Sequence, residues 1–276
     1  MTGEQIPRAM TIAGSDSGGG AGIQADLKTF AAFGVYGTSA ITAITAQNTK
    51  GVTKVQQLPV EMVEAQIDAI VDDIGADAVK TGMLASAAIV KAVAARIKAH
   101  GFTAVVVDPV MFATSGDRLL LEEAVATYKS DLFPVATVVT PNIPEAEAFT
   151  GIKIKNVMGM KAAAKLINRM GAKNVLVKGG HLEGEEVVDV LFDGTQYMDF
   201  PGERIQTTNT HGTGCTLSSA IASGLAHGRP LDESVAVAKL YVTEALKNAF
   251  QMGQGHGPLN HLYAWWAAGG SRGYGG

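Results

Sequence analysis

The sequence predicts an open α/β fold in which a mostly parallel sheet lies between two layers of helices. Short apolar runs typical of buried strands alternate along the 276-residue chain with segments whose apolar residues recur at helical spacing. Alternation of this kind implies parallel strands joined by right-handed crossovers, with helices on both faces of the sheet. Because 47% of the residues are hydrophobic, the chain can bury a large single core.

The predicted elements follow one another in regular order. Strands are expected at 9–13, 37–44, 78–80, 104–107, 137–140 and 174–177, and a hairpin at 187–192 and 197–200 turns at Asp193-Gly194. Helices are expected at 22–33, 60–73, 86–100, 122–130, 145–149, 158–170, 215–227 and 232–250. No internal repeat or long linker separates these elements.

Composition and charge narrow the classes of function. A net charge of −4 disfavours a nucleic-acid binder, whose surface should be basic. No apolar run approaches the roughly 20 residues of a membrane span, and no signal-peptide pattern precedes the first strand. The single cysteine excludes an intramolecular disulfide. We therefore expect a cytoplasmic protein whose partner is a small molecule.

The most informative stretch is 208–220, where two glycines and small hydroxyl residues lead directly into an apolar helix. The N–H groups of a first helical turn have no acceptor inside the helix, so those near Gly212, Thr213, Gly214 and Cys215 are expected to bind an anion. The positive end of the helix dipole should lower the pKa of the Cys215 thiol. The alternative is a buried cysteine that acts as a small hydrophobic residue.

A long glycine-rich loop at 14–26 follows the first predicted strand. It superficially resembles a dinucleotide-binding fingerprint, but no G-x-G-x-x-G pattern can be aligned in it, and it carries two aspartates. Glycines that allow the backbone to approach a small substrate explain the loop better. In open α/β sheets ligands collect at the carboxyl ends of the strands, which is where this loop is expected.

Polar residues follow several later strands. Asp108 offers a carboxylate, Asn142 and Glu145 offer an amide and a carboxylate, and Lys178 adds a cation beside two glycines. Because Mg²⁺ keeps several waters and takes few carboxylates, this sparse set suits an ATP site. Alternatively, Asn142 and Glu145 cap the following helix. Together with the anion site, these groups indicate phosphoryl transfer, and 108–118 is a candidate mobile segment.

The chain resembles the hydroxymethylpyrimidine/phosphomethylpyrimidine kinases of thiamine biosynthesis, which belong to the ribokinase-like superfamily. The matching segments are 13–29, 45–49, 80–84, 108–111, 140–142, 178–181 and 211–216. The likeness covers about 9–266. It implies a ribokinase-like three-layer α/β/α kinase domain over 9–266, preceded by an N-terminal extension at 1–8 and followed by a flexible glycine-rich tail at 267–276.

The resemblance also implies a mechanism. The transferred phosphate of ATP would enter the hole formed by Gly212, Thr213, Gly214 and Cys215, and the Cys215 thiolate would deprotonate the substrate hydroxyl group. The resemblance further implies that ATP is bound by Lys178, Asn142 and Thr210. It implies that Mg²⁺ is held through water by Asp108 and Glu145. Relatives in the superfamily also depend on a monovalent cation, which stays an open question for this chain.

Substrate identity depends mainly on Gln47, which in the family contacts the aminopyrimidine ring. An amide offers both a donor and an acceptor, matching an exocyclic amine and a ring nitrogen. The rest of the implied pocket consists of Asp26, as its polar member, with Ala21, Gly14, Met83 and Val110. Gln47 is otherwise an ordinary polar residue at a strand end, and Met83 is otherwise a core residue.

The predicted activity is ATP-dependent phosphorylation of 4-amino-5-hydroxymethyl-2-methylpyrimidine to its monophosphate and then to its diphosphate. The closest alternative is a pyridoxal or pyridoxine kinase of the same superfamily. An alternative of a different class is a non-catalytic protein that binds a pyrimidine or a nucleotide. Family resemblance further implies a homodimer.

Overall fold

The computed structural model describes residues 5–111 and 124–269, and these form a three-layer α/β/α fold around a nine-stranded sheet. The strands are β1 Arg8–Asp16, β2 Tyr36–Asn48, β3 Gly51–Gln57, β4 Ala78–Thr81, β5 Val105–Val107, β6 Val138–Val139, β7 Asn174–Val177, β8 Asp189–Phe192 and β9 Tyr197–Phe200. Their order across the sheet is β3-β2-β1-β4-β5-β6-β7-β8-β9. The expected fold class is confirmed.

The helices are α1 Gly22–Ala32, α2 Val60–Asp73, α3 Ala87–Ala99, α4 Ala124–Thr127, α5 Ile143–Thr150, α6 Val157–Asn168, α7 Thr213–Ala226, α8 Leu231–Lys247 and α9 Tyr263–Ala267. A π-helical turn, Tyr128–Leu132, and a 3-10 turn, Phe133–Val135, follow α4. None of the helices within 5–111 and 124–269 is long and apolar enough to cross a membrane.

Strand direction explains where a ligand can bind. Neighbouring strands from β2 through β1, β4, β5 and β6 to β7 pair in parallel, whereas β3 and β8 run antiparallel to their neighbours. The chain passes from β1 to β2 on one side and then returns to β4 on the other. The loops after β1 and β4 therefore flank a topological switch point, at the edge where the parallel strands end.

Alternating side chains of the central strands fill two cores. Val105 and Val107 pack with α2, α3, α5 and α6 on one face of the sheet. Val106 and Leu176 pack with α1, α7 and α8 on the other face. Both faces are buried because each parallel crossover places a helix over the sheet. The helix that begins at Thr213 is thus fixed against the sheet along its length.

The structure differs from the sequence prediction at several elements. We did not predict β3, whose side chains from Thr53 to Gln57 are exposed, or the short helix α9. The helix predicted at 122–130 is shorter, because α4 gives way to the π-helical turn. Positions 122–123 lie outside the described residues, as do 112–118 of the candidate mobile segment, 1–4 of the predicted extension and 270–276 of the predicted tail.

Candidate active site

A cavity of about 770 Å³ opens at the carboxyl ends of the parallel strands. It brings together residues that are far apart in the sequence, from the loop after β1 to helix α8. The predicted site residues that line it are Gly14, Ala21, Gln47, Met83, Asp108, Val110, Asn142, Glu145, Lys178, Thr210, Gly212, Thr213, Gly214 and Cys215. The residues predicted to act in catalysis and to bind substrate, nucleotide and metal thus line one cavity.

Asp26 does not line this cavity, so its expected place as the polar wall of the pocket stays a prediction. Its side chain is fully buried behind the cavity, and both of its oxygens are engaged. Oδ1 accepts from Ser219 Oγ at 2.6 Å, Oδ2 accepts from Thr11 Oγ1 at 2.6 Å, and Lys80 Nζ lies 2.9 Å from each oxygen. These contacts tie Asp26 to Lys80.

The start of α7 forms an anion-binding site. Gly212 precedes the helix with φ +84°, and a Cβ there would lie 1.9 Å from the carbonyl oxygen of Gly20. Only glycine fits this position, where the two glycine-rich loops meet. Thr213 N–H donates to Thr210 O, but the N–H groups of Gly214 and Cys215 have no acceptor among the described residues. Those two donors remain available to an anion.

The Cys215 thiol faces the same cavity, but its pKa is not lowered as the sequence suggested. Burial raises the pKa of the thiol to about 11, although the charge of Lys80 and a hydrogen bond from Gly22 N–H act in the opposite direction. Our expectation was wrong because the cost of placing a thiolate away from bulk water exceeds the effect of the helix terminus. In the unliganded protein the thiol therefore keeps its proton at neutral pH.

Asp108 provides a test of whether the site suits a divalent cation. Lys178 Nζ donates to its Oδ1 at 2.7 Å, whereas the buried Oδ2 has no hydrogen-bond partner among the described residues. A Cβ added to Gly214 would lie 3.7 Å from that oxygen, so the carboxylate stands beside the start of α7. An unpaired buried carboxylate oxygen is unfavourable unless a cation or donor meets it. Mg²⁺ bound next to an anion fits this position.

Asn142 and Glu145 form a capping box at the start of α5. Asn142 N–H donates to Glu145 Oε2 at 2.7 Å, and Glu145 N–H donates to Asn142 Oδ1 at 2.9 Å. Burial raises the pKa of the Glu145 carboxyl to about 7, against the effect of Lys178. The capping alternative therefore describes their geometry. Since both residues also line the cavity, Glu145 remains available to Mg²⁺ through water.

At the other end of the cavity, Gln47 lies in a polar network. Thr45 Oγ1 donates to Gln47 Oε1 at 3.1 Å, and Gln47 Nε2 lies 3.3 Å from His211 Nε2. His211 Nε2 donates to the carboxylate of Asp16 at 2.9 Å. Although burial acts against it, hydrogen bonds from His211 and from the N–H groups of Ala21 and Gly18 lower the pKa of Asp16. Asp16 therefore stays ionised and fixes the His211 ring.

Sequence reasoning gave no role to His211, Asp16 or Lys80. The signal for the first two was weak, since each is one polar residue within a glycine-rich loop. The signal for Lys80 was stronger, because a lysine follows Ala78 and Val79 in a strand that is buried throughout. Burial alone would lower the pKa of Lys80, but the charges of Asp26, Cys215 and Asp108 outweigh it and raise the pKa.

Apolar side chains from α7, α8 and the segments before β8 and after β9 line part of the cavity. The residues are Val187, Ile205, Leu217, Val242 and Leu246. They line the same cavity as the anion site, and an aromatic base fits between apolar walls. No sequence pattern could assign them, because each is an ordinary apolar residue.

Helix N–H groups and a carboxylate oxygen that have no partner in the described part of the chain, beside Lys80 and Lys178, are typical of a kinase that acts on a small molecule. Within that class, the family described as phosphomethylpyrimidine kinase matches residues 16–260, and this chain belongs to it.

Curated relatives carry related names. The chain is 54% identical over 261 residues to the hydroxymethylpyrimidine/phosphomethylpyrimidine kinase of Rhizobium meliloti, covering 94% of this chain and 98% of the relative. It is 53% identical over 255 residues to the thiamine biosynthesis bifunctional protein of Geobacter sulfurreducens. That match covers 92% of this chain but only 52% of the relative, so the chain spans about half of that longer protein.

Solved structures show the same fold. Phosphomethylpyrimidine kinase from Clostridium difficile is 49% identical, with a TM-score of 0.78, covering 88% of this chain and all of that one. An ADP complex of pyridoxal kinase from Bacillus subtilis is 41% identical, with a TM-score of 0.88, covering 94% of this chain and 99% of that one. Fold similarity alone does not separate these two activities, whereas sequence identity is higher with the pyrimidine kinases.

Proposed function

We propose that this protein phosphorylates 4-amino-5-hydroxymethyl-2-methylpyrimidine with ATP, first on the hydroxyl group and then on the resulting phosphate, as a step of thiamine biosynthesis. The observation that carries the proposal is that Cys215, two unpaired helix N–H groups and Gln47 face one cavity. A base, an anion site and a hydrogen-bonding side chain for the substrate ring are thus within reach of one small molecule.

ATP is proposed to bind with its base between Val242, Leu246 and the walls opposite them, and with its phosphates toward α7. The γ-phosphate would accept from the N–H groups of Gly214 and Cys215, which are oriented before any ligand binds. Lys178, Asn142 and Thr210 line the same cavity. Burial acts to lower the pKa of Lys178, but the charges of Asp108 and Glu145 outweigh it and raise the pKa, so the ammonium group would balance phosphate charge.

Asp108 is proposed to hold Mg²⁺ through its unpaired Oδ2, with Glu145 acting through water. Bound there, the ion would neutralise charge on the phosphate oxygens. Among the described residues, no group of three or more His, Cys, Asp or Glu side chains is arranged to hold a metal. The proposed site therefore depends on the nucleotide for most of its ligands. Nothing in the described contacts assigns a monovalent cation site.

Cys215 is proposed as the base for the first phosphorylation. The thiol must first lose its own proton to solvent; the thiolate sulfur then accepts the hydroxyl proton as the hydroxyl oxygen bonds to the γ-phosphorus and the bond from that phosphorus to the bridging oxygen of ATP breaks. The second phosphorylation needs no such base, since a phosphate oxygen is already ionised at neutral pH. The two steps should therefore depend on Cys215 to different extents.

Gln47 is proposed to read the aminopyrimidine ring through its amide. Gly14, Ala21, Met83 and Val110 would enclose the ring, and Ala43 and Ala85 pack behind Met83. Asp26, which does not line the cavity, is proposed to act only through Lys80. The Asp16–His211 pair would lie beside the Gln47 amide and the substrate ring.

A direct assay tests the activity. Purified protein is incubated with ATP and Mg²⁺ and with either the hydroxymethylpyrimidine or pyridoxal, and ADP is followed together with the mono- and diphosphate products. We expect both pyrimidine products. Phosphate on pyridoxal alone would establish the pyridoxal kinase alternative, which the similarity to the Bacillus subtilis structure favours. A ligand-dependent thermal shift without ADP would establish the binding protein.

We also propose a homodimer that forms through β2 and β3 in the cytoplasm. β3 stands at the edge of the sheet, next to β2. The large apolar side chains of Ile44 and Val55 are about half exposed on these strands, at 50% and 43%. Edges of this kind are usually covered by another chain or protected by charge.

A further inference from the structure

Lys80 occupies an unusual position that the proposed mechanism does not use. Its side chain is fully buried, yet it lines the cavity together with Cys215. Both oxygens of Asp26 lie 2.9 Å from its ammonium group. Replacing a buried ion pair by apolar residues is often neutral or stabilising, so its presence is weak evidence for a purely structural role.

Two neighbouring helices place this pair beneath the thiol. Gly22 N–H on α1 lies near enough to the Cys215 sulfur on α7 to favour its ionised form. Four residues further along each helix, Asp26 on α1 accepts from Ser219 on α7 at 2.6 Å. Residues four apart lie one above the other on a helix face. Asp26, and the Lys80 ammonium bonded to it, therefore lie about one helical turn from the sulfur.

The Asp26 carboxylate has no freedom to turn away from Lys80. Its two oxygens also accept from Thr11 and Ser219, both at 2.6 Å. The ammonium is thus held at a fixed place in surroundings from which water is excluded, where a charge acts more strongly than in water. An ammonium held in this way can stabilise a negative charge that develops on a neighbouring sulfur.

Four charged groups face Cys215 among the described residues. They are Lys80 on β4, Asp26 on α1, Asp108 after β5 and Lys178 after β7. Asp108 is bonded to Lys178, and Asp26 to Lys80, so each carboxylate has its own cation. Of the charges that act on the thiol, Lys80 has the largest effect, and it favours the thiolate.

We propose that Lys80, held by Asp26, is a positioning residue whose charge stabilises the Cys215 thiolate during phosphorylation of the substrate hydroxyl group. This role rests on the proposed function of Cys215 as the base. Lys80 exchanges no proton and touches no reacting atom. It acts on the sulfur through its charge alone, and the second phosphorylation, which needs no thiolate, should not require it.

The chain offers a direct measurement, because Cys215 is its only cysteine. The rate of alkylation by iodoacetamide, measured without substrate between pH 7 and 10, reports the thiolate fraction of this one residue. Lys80→Met and Asp26→Asn break the same ion pair and should disturb the fold similarly. If Lys80 acts through charge, however, the two variants should affect the thiol differently.

We expect Lys80→Met to slow alkylation at pH 8 by about tenfold or more, since each pKa unit changes the thiolate fraction tenfold. Asp26→Asn should leave the rate unchanged or raise it, because it removes the negative charge. Lys239→Met serves as the matched control. It breaks the ion pair between Lys239 on α8 and Asp189 on β8, and it should leave alkylation unchanged. Any other pair of alkylation rates for Lys80→Met and Asp26→Asn overturns the proposal.

Lys80→Met leaves Asp26 buried without a cation and risks unfolding. In that case the double variant Lys80→Met/Asp26→Asn is compared with Asp26→Asn alone, a comparison that isolates the charge of Lys80. Slower alkylation in the double variant supports the proposal, and equal rates overturn it. Activity gives a separate readout, in which hydroxyl phosphorylation should fall more than phosphorylation of the monophosphate. If the unmodified protein phosphorylates no pyrimidine, the proposed function fails, whatever the alkylation shows.

Discussion

Two ion pairs, the buried Asp26–Lys80 and the largely buried Asp108–Lys178, lie near Cys215 at the beginning of α7. Each places a cation where a phosphate or a thiolate would carry negative charge. Preorganised charges of this kind need no rearrangement when the reaction begins. At the scale of single residues, the site therefore depends less on the pKa of an isolated thiol than on the charges fixed around it.

Removal of the thiol should separate the two proposed phosphorylations. Cys215→Ala is expected to slow hydroxyl phosphorylation by about 100-fold or more, the usual contribution of a general base. Phosphorylation of the monophosphate should change little, because its nucleophile is already ionised. Single-turnover rates for each step, measured with saturating ATP and Mg²⁺, provide the comparison.

A thermal unfolding curve for the same variant controls for damage to the fold. Cys215→Ser provides a second control, since its hydroxyl group occupies similar space but ionises far less readily than a thiol. Equal losses in both steps would show that Cys215 supports binding or folding instead of proton transfer.

At the scale of elements, the contact between the two glycine-rich loops decides whether the anion site can form. Gly212→Ala would place a methyl group 1.9 Å from the Gly20 carbonyl oxygen at a positive φ. We expect a loss of more than about 1 kcal/mol in stability, together with a higher KM for ATP, because the start of α7 must move. Thermal unfolding and ATP titrations measure the two effects.

Gly228→Ala is the matched control for this substitution. Gly228 has a similar positive φ, +75°, but no atom lies within 4 Å of an added Cβ. The Gly228→Ala protein should lose only about 1 kcal/mol of stability, the cost of the backbone conformation, and its KM for ATP should not change. Equal effects of the two substitutions would mean that the close approach at Gly212 is unimportant.

The segment before α9 is attached to α7 through a histidine whose titration should be visible in stability. His261 Nε2 donates to Thr216 Oγ1 at 3.0 Å, and Tyr241 donates to the His261 carbonyl oxygen at 2.7 Å. Burial, helped by the charge of Lys28, lowers the pKa of His261 to about 4. The folded protein therefore contains this ring in its neutral form.

The unfolded chain binds a proton at His261 below about pH 6.5, whereas the folded chain does so only near pH 4. Stability from this group is present above pH 6.5 and is lost as the pH falls toward 4, by about 3 kcal/mol in all. His261→Gln keeps a donor but does not titrate. In urea unfolding at pH 7 and pH 4.5, it should lose less stability on acidification than the unmodified protein. Equal losses of stability in the two proteins on acidification would contradict the assignment of this titration to His261.

At the scale of the whole molecule, the exposed edge of the sheet should determine the state of assembly. Ile44→Glu with Val55→Glu introduces charge on β2 and β3 and should convert the proposed homodimer into a monomer. Sedimentation equilibrium over a range of protein concentrations measures the mass. Leu240→Glu on α8 is the control, since Leu240 is 68% exposed and lies away from this edge. A monomeric unmodified protein would refute the dimer.

Much of the architecture could be predicted because its signals are local. The α2 helix, Val60–Asp73, and the β7 strand, Asn174–Val177, have the bounds that their apolar patterns predict. The β3 strand could not be found in this way, since its side chains are mostly exposed and it forms only by pairing with β2. Helix α9, five residues long with no buried side chain, left no periodic signal.

The amino-acid sequence was enough to predict the main strands and helices, the glycine-rich loops and the polar residues that follow the strands. These features depend on neighbouring residues, whose spacing can be read from the chain. Which charges meet depends instead on contacts between distant parts of the folded chain. Asp26 pairs with Lys80, 54 residues away, and with Ser219, 193 residues away. Because burial and such distant partners set the ionisation of a side chain, spacing predicted the place of Cys215 but not the pKa of its thiol.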